Sequence, residues 1–347
     1  MLVIRPICAD DFTALKQIAL ESGHGFTSLP DNDELLLSKI ARAEKSFAQA
    51  VTSAGQQSYL FVLEDTQSKD IIGVTGIEAA VGLSAPFYHY HIASHVHYSP
   101  RLGVKKVVET LNLCNDYTGA SEVCTLFVRE KYRRGFAGQL LSRVRYLFMA
   151  NHPERFADLV IAEMRGVSDE NGHSPFWAWL ESHFFGIDFP TADYLVGIGD
   201  KSFIAELMPK HPVYVALLSP EAQSVIGQVH EKTAPALRLL HKEGFFHHGY
   251  VDLFDAGPTV EVALKNIRTV RQSALATVVI SDTIKPSLCA EFKEQNYMLC
   301  NTDVGQFRAT ITPVVQYKPA TNELYIPADM ADALGLFSGG DVRFIAV

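Results

Sequence analysis

Ser121-Glu-Val-Cys-Thr-Leu-Phe-Val-Arg-Glu-Lys-Tyr-Arg-Arg-Gly-Phe-Ala-Gly-Gln-Leu-Leu141 constrains this chain more than any other stretch. A strand-like run over 122–129 leads into a basic, glycine-containing turn, and then into a helical pattern from about Ala137 to Ala150. That order leaves free backbone N–H groups at the start of the helix. There the helix dipole, with Arg133 and Arg134, suits a pyrophosphate. The text is not a P-loop, because no Gly-Lys-Ser/Thr follows, and not a dinucleotide fingerprint, because Gly-x-Gly-x-x-Gly is absent.

The neighbouring segments alternate between the two periodicities. A strand from Leu2 to Arg5 precedes helices at 12–21 and 31–47, the second carrying Leu35, Leu36, Ile40 and Phe47 at helical spacing. The glycines and proline of 22–30 make a loop between them. Tyr59 to Asp65 and Ile71 to Val81 read as strands joined by a polar turn; 87–98 and Leu159 to Arg165 read as further strands. Pro175 to Phe184 and Ser202 to Leu207 read as helices, and Ser224 to His230 as a strand entering a helix from Thr233 to Lys242 that Gly244 stops. After about residue 262 the chain turns β-rich, with strands expected at 275–280, 307–317, 324–326 and 342–346. The patterns predict an α/β domain over 1–262 and a small all-β domain over 263–347.

Composition narrows the function classes. The 347 residues suffice for about two domains, and 48% hydrophobic against 20% charged residues excludes a disordered chain. With 30 basic against 39 acidic side chains, the chain has no broad positive field, so neither nucleic acid nor a membrane surface is expected as partner. Cys8, Cys114, Cys124, Cys289 and Cys300 include no C-x-x-C pair and are expected as reduced thiols of a soluble, cytoplasmic protein. The absence of a long apolar run and of a basic-then-apolar leader agrees with that expectation. His89, His91, His95 and His97 share a strand face, but no carboxylate stands at a telling position beside them, so no metal is expected. Cys124 is expected to pack as a small apolar residue.

The strand, turn and helix at 121–141 resemble those of the GNAT-type acyl-CoA N-acyltransferases, whose turn carries [Q/R]-x-x-G-x-[G/A] around the CoA pyrophosphate. With Arg133 in first place, Gly138 falls last, Phe136 stands where the internal glycine belongs, and Gly135 comes one place early. Val225 to Phe245 resembles a second signature region of these enzymes, in which a helical Tyr often protonates the leaving thiolate; here that position is Leu240. Longer ungapped blocks resemble the arginine N-succinyltransferase family over about residues 1–260. They include Thr27-Ser-Leu-Pro30, Ala80-Val-Gly-Leu83, Ala162-Glu-Met-Arg-Gly166, Ser174-Pro-Phe-Trp177, Ala205-Glu-Leu-Met-Pro-Lys-His-Pro212, Val225-Ile-Gly-Gln-Val-His230 and Asp255-Ala-Gly-Pro-Thr259. The β-rich tail fits that family's extra C-terminal domain.

The resemblance implies a GNAT-like α/β fold, succinyl-CoA as co-substrate with no permanently bound cofactor, and conversion of L-arginine to N2-succinylarginine in arginine catabolism. It implies that Leu126 contacts succinyl-CoA and that His230 donates the proton to the thiolate. The expected cofactor side is Leu126, Val128, Arg133, Gly135 and Gly138, with Arg129, Lys131 and Arg134 adding charge for the phosphates. It also implies a homodimer or a heteromer with a related subunit. An ornithine or broader basic amino-acid succinyltransferase is the near alternative. A non-catalytic partner subunit is the far one, given Phe136 and Leu240. Arginine itself needs carboxylates for its guanidinium and a cation for its α-carboxylate. Glu78, Asp116, Glu122, Glu163, Asp169 and Arg165 are the candidates. Glu163 and Arg165 lead, because a strand would project both onto one face.

Overall fold

The computed structural model describes residues 1–23, 28–133, 135–170, 172–200, 202–281 and 296–347. The chain opens with β1 (Leu2–Pro6), α1 (Phe12–Ser22), α2 (Asp33–Ala48), β2 (Ser58–Asp65) and β3 (Ile71–Glu78). A long hairpin follows, β4 (His89–Ser99) and β5 (Val104–Cys114), and then β6 (Ser121–Val128), α3 (Ala137–Asn151) and β7 (Leu159–Glu163). Next come α4 (Pro175–Leu180), α5 (Phe189–Gly197), α6 (Ser202–Leu207), β8 (Val213–Tyr214), α7 (Pro220–Val225), α8 (Ala234–Glu243), β9 (Phe246–Val251) and β10 (Pro258–Ala263). The tail holds α9 (Arg268–Gln272), β11 (Ala274–Ile280), β12 (Tyr297–Cys300), β13 (Ala309–Thr312), β14 (Gln316–Lys318), β15 (Glu323–Ile326), α10 (Ala328–Leu334) and β16 (Asp341–Ala346).

Local chemistry accounts for the helix boundaries. Asn32 caps α2 by accepting the Leu35 N–H, Asp33 and Glu34 favour its positive end, and Leu36, Ile40, Ala43 and Phe47 form its buried stripe. Gly244 takes the left-handed conformation that ends α8, where the Phe245 N–H bonds the Leu240 carbonyl. Residues 226–230 form no strand, because Ser219 caps and Pro220 opens α7, which runs to Val225, and Gly227 turns the chain at φ 71°. The strand β5, which the mixed sequence of 104–114 does not announce, pairs along the whole of β4.

The strands form one sheet in the order β14-β15-β11-β16-β12-β13-β1-β2-β3-β6-β7-β10-β9-β4-β5-β8. Its main body is the mixed α/β arrangement expected of a GNAT-like chain, with β6 and β7 parallel at its centre and α3 packed against β3 and β6. The strand-rich tail joins edge to edge, β13 pairing with β1 at Ile4 and Ala309. The tail also carries α10, a seven-residue helix whose Met330, Ala331 and Leu334 are buried in the tail's own core. The central core gathers Phe47, Tyr59, Phe61, Phe148 and Phe307, whose rings meet mostly edge to face. No helix among the described residues is long and apolar enough to cross a membrane.

Candidate active site

The site begins as a defect in the sheet. β6 and β7 pair only at Ser121 with Val160 and Glu122 with Ile161, after which the two parallel strands part. On its other side β6 bulges against β3, the register slipping between Val74 and Gly76 where Thr125 adopts a φ of 54°. A bulge twists a strand and redirects its polar groups. Beyond Glu122, the β6 edge facing β7 has no ladder to consume its N–H groups. A cleft fills the opening. Its walls are residues 123–126 of β6, residues 162–165 at the end of β7, Thr233, Ala236 and Leu240 around α8, and Asp252, Phe254 and Asp255 of the β9–β10 loop.

Leu126 lines this cleft, whereas Val128 lies beyond it, its carbonyl accepting a bond from Arg133 Nε at 3.0 Å. Glu21, Phe127, Arg129, Glu130, Lys131 and Arg133 surround a second groove, at the end of β6 and the turn that leads to α3. No side chain among the described residues caps that helix, and uncapped N–H groups at a helix start suit an anion. Gly135 takes a φ of 76°, and Phe136 sits in the ordinary helical region. The turn therefore needs its glycine at 135 and none at 136. An added Cβ at Gly138 would meet nothing within 4 Å. Arg129 is engaged with Glu21, at 3.0 Å from Nε to Oε2, and Arg134 lies outside the described residues, as do Thr27 and Cys289.

His230 is nearly buried in the connection into α8. Its backbone N–H bonds the Arg165 carbonyl at 2.9 Å, and the Thr233 hydroxyl bonds its carbonyl at 2.9 Å. It is not among the side chains that line the cleft; its backbone is tied to two that are, Arg165 and Thr233. The ring Nδ1 accepts the Lys232 N–H at 3.0 Å, which leaves Nε2 as the nitrogen that carries the proton in the neutral ring. Burial, and then the charges of Arg165 and Lys232, hold its pKa below the ordinary histidine value.

Glu163 and Arg165 do converge on the cleft, although β7 ends at Glu163 and Arg165 arrives from the following loop. Glu122 lines it too. The other sequence candidates lie elsewhere: Glu78 pairs with Arg42 at 2.7 Å, Asp116 accepts the Tyr250 hydroxyl at 3.0 Å, and Asp169 accepts the His173 N–H at 2.8 Å. Sequence reasoning missed Asp252 and Asp255. The Asp255 carboxylate accepts the N–H groups of Gly166 and Gly257 at 2.7 and 2.8 Å, and burial beside the Asp252 charge raises its pKa. A signal was present in the block at 255–259, which carried a resemblance but no role. Leu240 lines the cleft with no acid in its place, and burial pushes the Cys124 thiol up, out of reach of a nucleophilic role at neutral pH.

Behind Glu163 stands His89, fully buried, with neither ring nitrogen hydrogen-bonded among the described residues and Nδ1 3.8 Å from Glu163 Oε1. Burial pushes its pKa down to about 4, as it does for His152 at the end of α3. Among the described residues no group of three or more His, Cys, Asp or Glu is placed to hold a metal. Both histidines bind a proton more readily unfolded than folded. Stability is therefore full above pH 6.5 and falls as the pH drops toward about 4. Each contributes a loss on the order of 3 kcal/mol. Denaturant unfolding followed from pH 7.5 to 4.5 should show that decline, and His89→Leu should flatten it; an unchanged slope in the variant would remove His89 as a cause.

Comparison with known proteins agrees with this architecture. The family model described as "Arginine N-succinyltransferase beta subunit" matches residues 2–269, and a second model, for the C-terminal domain of the arginine N-succinyltransferase beta subunit, matches residues 291–346. The chain is 45% identical over 345 residues to the arginine N-succinyltransferase of Escherichia coli O6:H1, covering 99% of this chain and 97% of the relative. The protein of the same name from Escherichia coli K12 matches to the same extent, 45% over 345 residues. The solved structure of arginine/ornithine succinyltransferase subunit AI from Pseudomonas aeruginosa superposes with a TM-score of 0.90 at 36% identity, covering 100% of this chain and 98% of that one. The fold, the cleft at the parting of β6 and β7, and full-length similarity to these proteins together place the chain in the arginine N-succinyltransferase family, a family of acyltransferases.

Proposed function

We propose that the protein transfers the succinyl group of succinyl-CoA to the α-amine of L-arginine, giving N2-succinylarginine and CoA, in the cytoplasm. The observation that carries this reading is the parting of β6 and β7 beside the Thr125 bulge, with carboxylates on the opposite wall. The thioester carbonyl lies against β6 near Leu126, where N–H groups outside any ladder hold the developing oxyanion. The phosphates sit at the start of α3 with Lys131, Arg133 and the turn at Gly135 and Gly138. Glu163, Glu122, Asp252 and Asp255 receive the cationic groups of arginine, and Arg165 its α-carboxylate. The amine nitrogen attacks the carbonyl carbon, the C–S bond breaks, and the sulfur takes the Nε2 proton of His230 as the same ring nitrogen takes up the proton the amine gives up, so that no imidazolate forms. The amine loses one proton, the sulfur gains one, and His230 ends as it began.

CoA thiol release from succinyl-CoA with L-arginine, L-ornithine and L-lysine in parallel tests the reading. Arginine should be preferred, with ornithine second, the order favoured by the name of the Pseudomonas aeruginosa relative. Turnover of none of the three by protein that CoA stabilises against heat would overturn the substrate assignment; absence of CoA stabilisation would overturn the acyl-CoA assignment. Assembly with a second copy or a related subunit is part of the same proposal. The far end of the β4–β5 hairpin supports it by exposing Val96, Tyr98, Leu102, Val104 and Val107, each at least 47% accessible. The free thiols of Cys8, Cys114, Cys124 and Cys300 support a reducing compartment.

A further inference from the structure

Three arginines are buried in or beside α3, and they are satisfied differently. Arg143 has a carboxylate, with Nε 2.9 Å from Glu243 Oε1. Arg155 bonds the Tyr59 hydroxyl and the Gln49 carbonyl, each at 3.0 Å. Arg145 is only 2% exposed, and its hydrogen bonds among the described residues run to the carbonyl and hydroxyl of Ser142 alone, at 2.9 and 3.3 Å. No carboxylate pairs with it among the described residues. A guanidinium keeps its charge at any ordinary pH, so a buried one without a counter-ion is costly unless an anion is supplied. Arg145 lines the cleft.

Its depth indicates which anion. α3 runs back along β6, and Arg145 lies two turns past Ala137, about 12 Å from the start of the helix at 1.5 Å per residue. With strands rising about 3.3 Å per residue, that distance reaches back past Leu126 to the level of Cys124, which lines the cleft with Arg145. An acyl-CoA whose phosphates sit at the helix start and whose thioester lies at Leu126 sends its acyl chain further in the same direction. We propose that Arg145 receives the free carboxylate of the succinyl group and thereby sets the preference for a dicarboxylic acyl chain. This rests on the acyl-CoA orientation of the proposed function. Burial lowers the Arg145 pKa, and the groups that oppose that shift, Tyr146 and Cys124, include no carboxylate, which agrees with a cation kept for a ligand rather than for the fold.

Butyryl-CoA has the same four-carbon chain with a methyl group in place of the carboxylate, so the test is the ratio of kcat/KM for succinyl-CoA to that for butyryl-CoA. The wild-type ratio should exceed about 100, Arg145→Met should reduce it about 100-fold, and Arg145→Lys should retain part of it. Equal losses on both thioesters in Arg145→Met would overturn the proposal. So would an unchanged ratio accompanied by loss of discrimination between L-arginine and agmatine, which lacks the α-carboxylate, because Arg145 would then serve the amino acid. Wild-type protein supplies a measurement independent of any variant's folding: succinyl-CoA should raise the Tm more than butyryl-CoA at equal concentration, and equal shifts would sink the idea. If the wild type transfers neither acyl group to arginine yet keeps the larger shift with succinyl-CoA, the proposed function fails and the carboxylate site stands.

Discussion

His230→Ala should lower kcat about a thousandfold with little change in CoA binding, within the range expected when a positioned proton donor is removed. The fold should tolerate the change. The bond from His230 to Arg165 uses the backbone N–H, and the ring, which also bonds the Ser168 backbone, accepts a hydrogen bond from Lys232. Losing that bond costs about 1 kcal/mol, so the Tm should fall by a few degrees while turnover collapses. The acid side of the pH profile separates a chemical role from a packing role. Burial opposes a charged ring, and protonation would add a cation beside Arg165 and Lys232, which is why the pKa is low; it would also remove the acceptor of the Lys232 N–H. Wild-type kcat should therefore hold down to a pH below 6.5 and then decline. A variant that keeps wild-type kcat, or one that loses CoA stabilisation together with activity, would remove His230 from the chemistry.

The largest effect on stability is expected at Gly257. A Cβ there would stand 2.0 Å from the Met164 carbonyl oxygen and 2.5 Å from the Gly166 nitrogen, both backbone atoms that cannot rotate away. The same contact brings the Asp255 carboxylate onto the Gly166 and Gly257 N–H groups and closes the cleft floor between β7 and β10. Gly257→Ala must push the two segments apart, unseat the buried carboxylate and strain the left-handed Ala256 beside it. A destabilisation above about 4 kcal/mol is expected, in the range kept for backbone collisions and broken buried networks. Denaturant unfolding measures it directly. A midpoint within error of wild type would mean that the β9–β10 loop has room to move and that the Asp255 position is not held by this packing.

His230 and Gly257 draw on different parts of the chain's information. The role proposed for His230 rests on the family blocks around it, and its spacing after an apolar run suggested a strand that does not form. The tautomer that makes Nε2 the donor depends on where the Lys232 N–H points, which no pattern of residue types encodes. At Gly257 the sequence showed a Gly-Pro pair and a resemblance. The collision that makes glycine obligatory is with Met164 and Gly166, far away in the chain.

The expected cofactor side divides in the same way. Arg133, Gly135 and the start of α3 were readable, because a strand end, a positive-φ glycine and a helix start are local events within a few residues. Why Phe136 is tolerated was not readable, since it follows from the φ values that the finished turn adopts. Glu163 and Arg165 were paired by strand alternation, and they do meet at the cleft, but the strand ends between them.

What the sequence determined by itself is the set of elements whose causes are local: the capped helices, most strands, the glycine turn before α3, and the absence of a Tyr at Leu240. What only the tertiary structure decided is which edges and charges find partners. It set the parting of β6 from β7 after Glu122, the joining of the tail to β1 through Ala309, the gathering of Asp252, Asp255 and Glu163 on one cleft, and the lack, among the described residues, of a carboxylate for Arg145. Periodicity and capping act over a few residues and are written in the residue types. The partner of a backbone edge or a buried charge is selected by the lowest free energy of the whole packed chain, across separations that a local pattern does not reach.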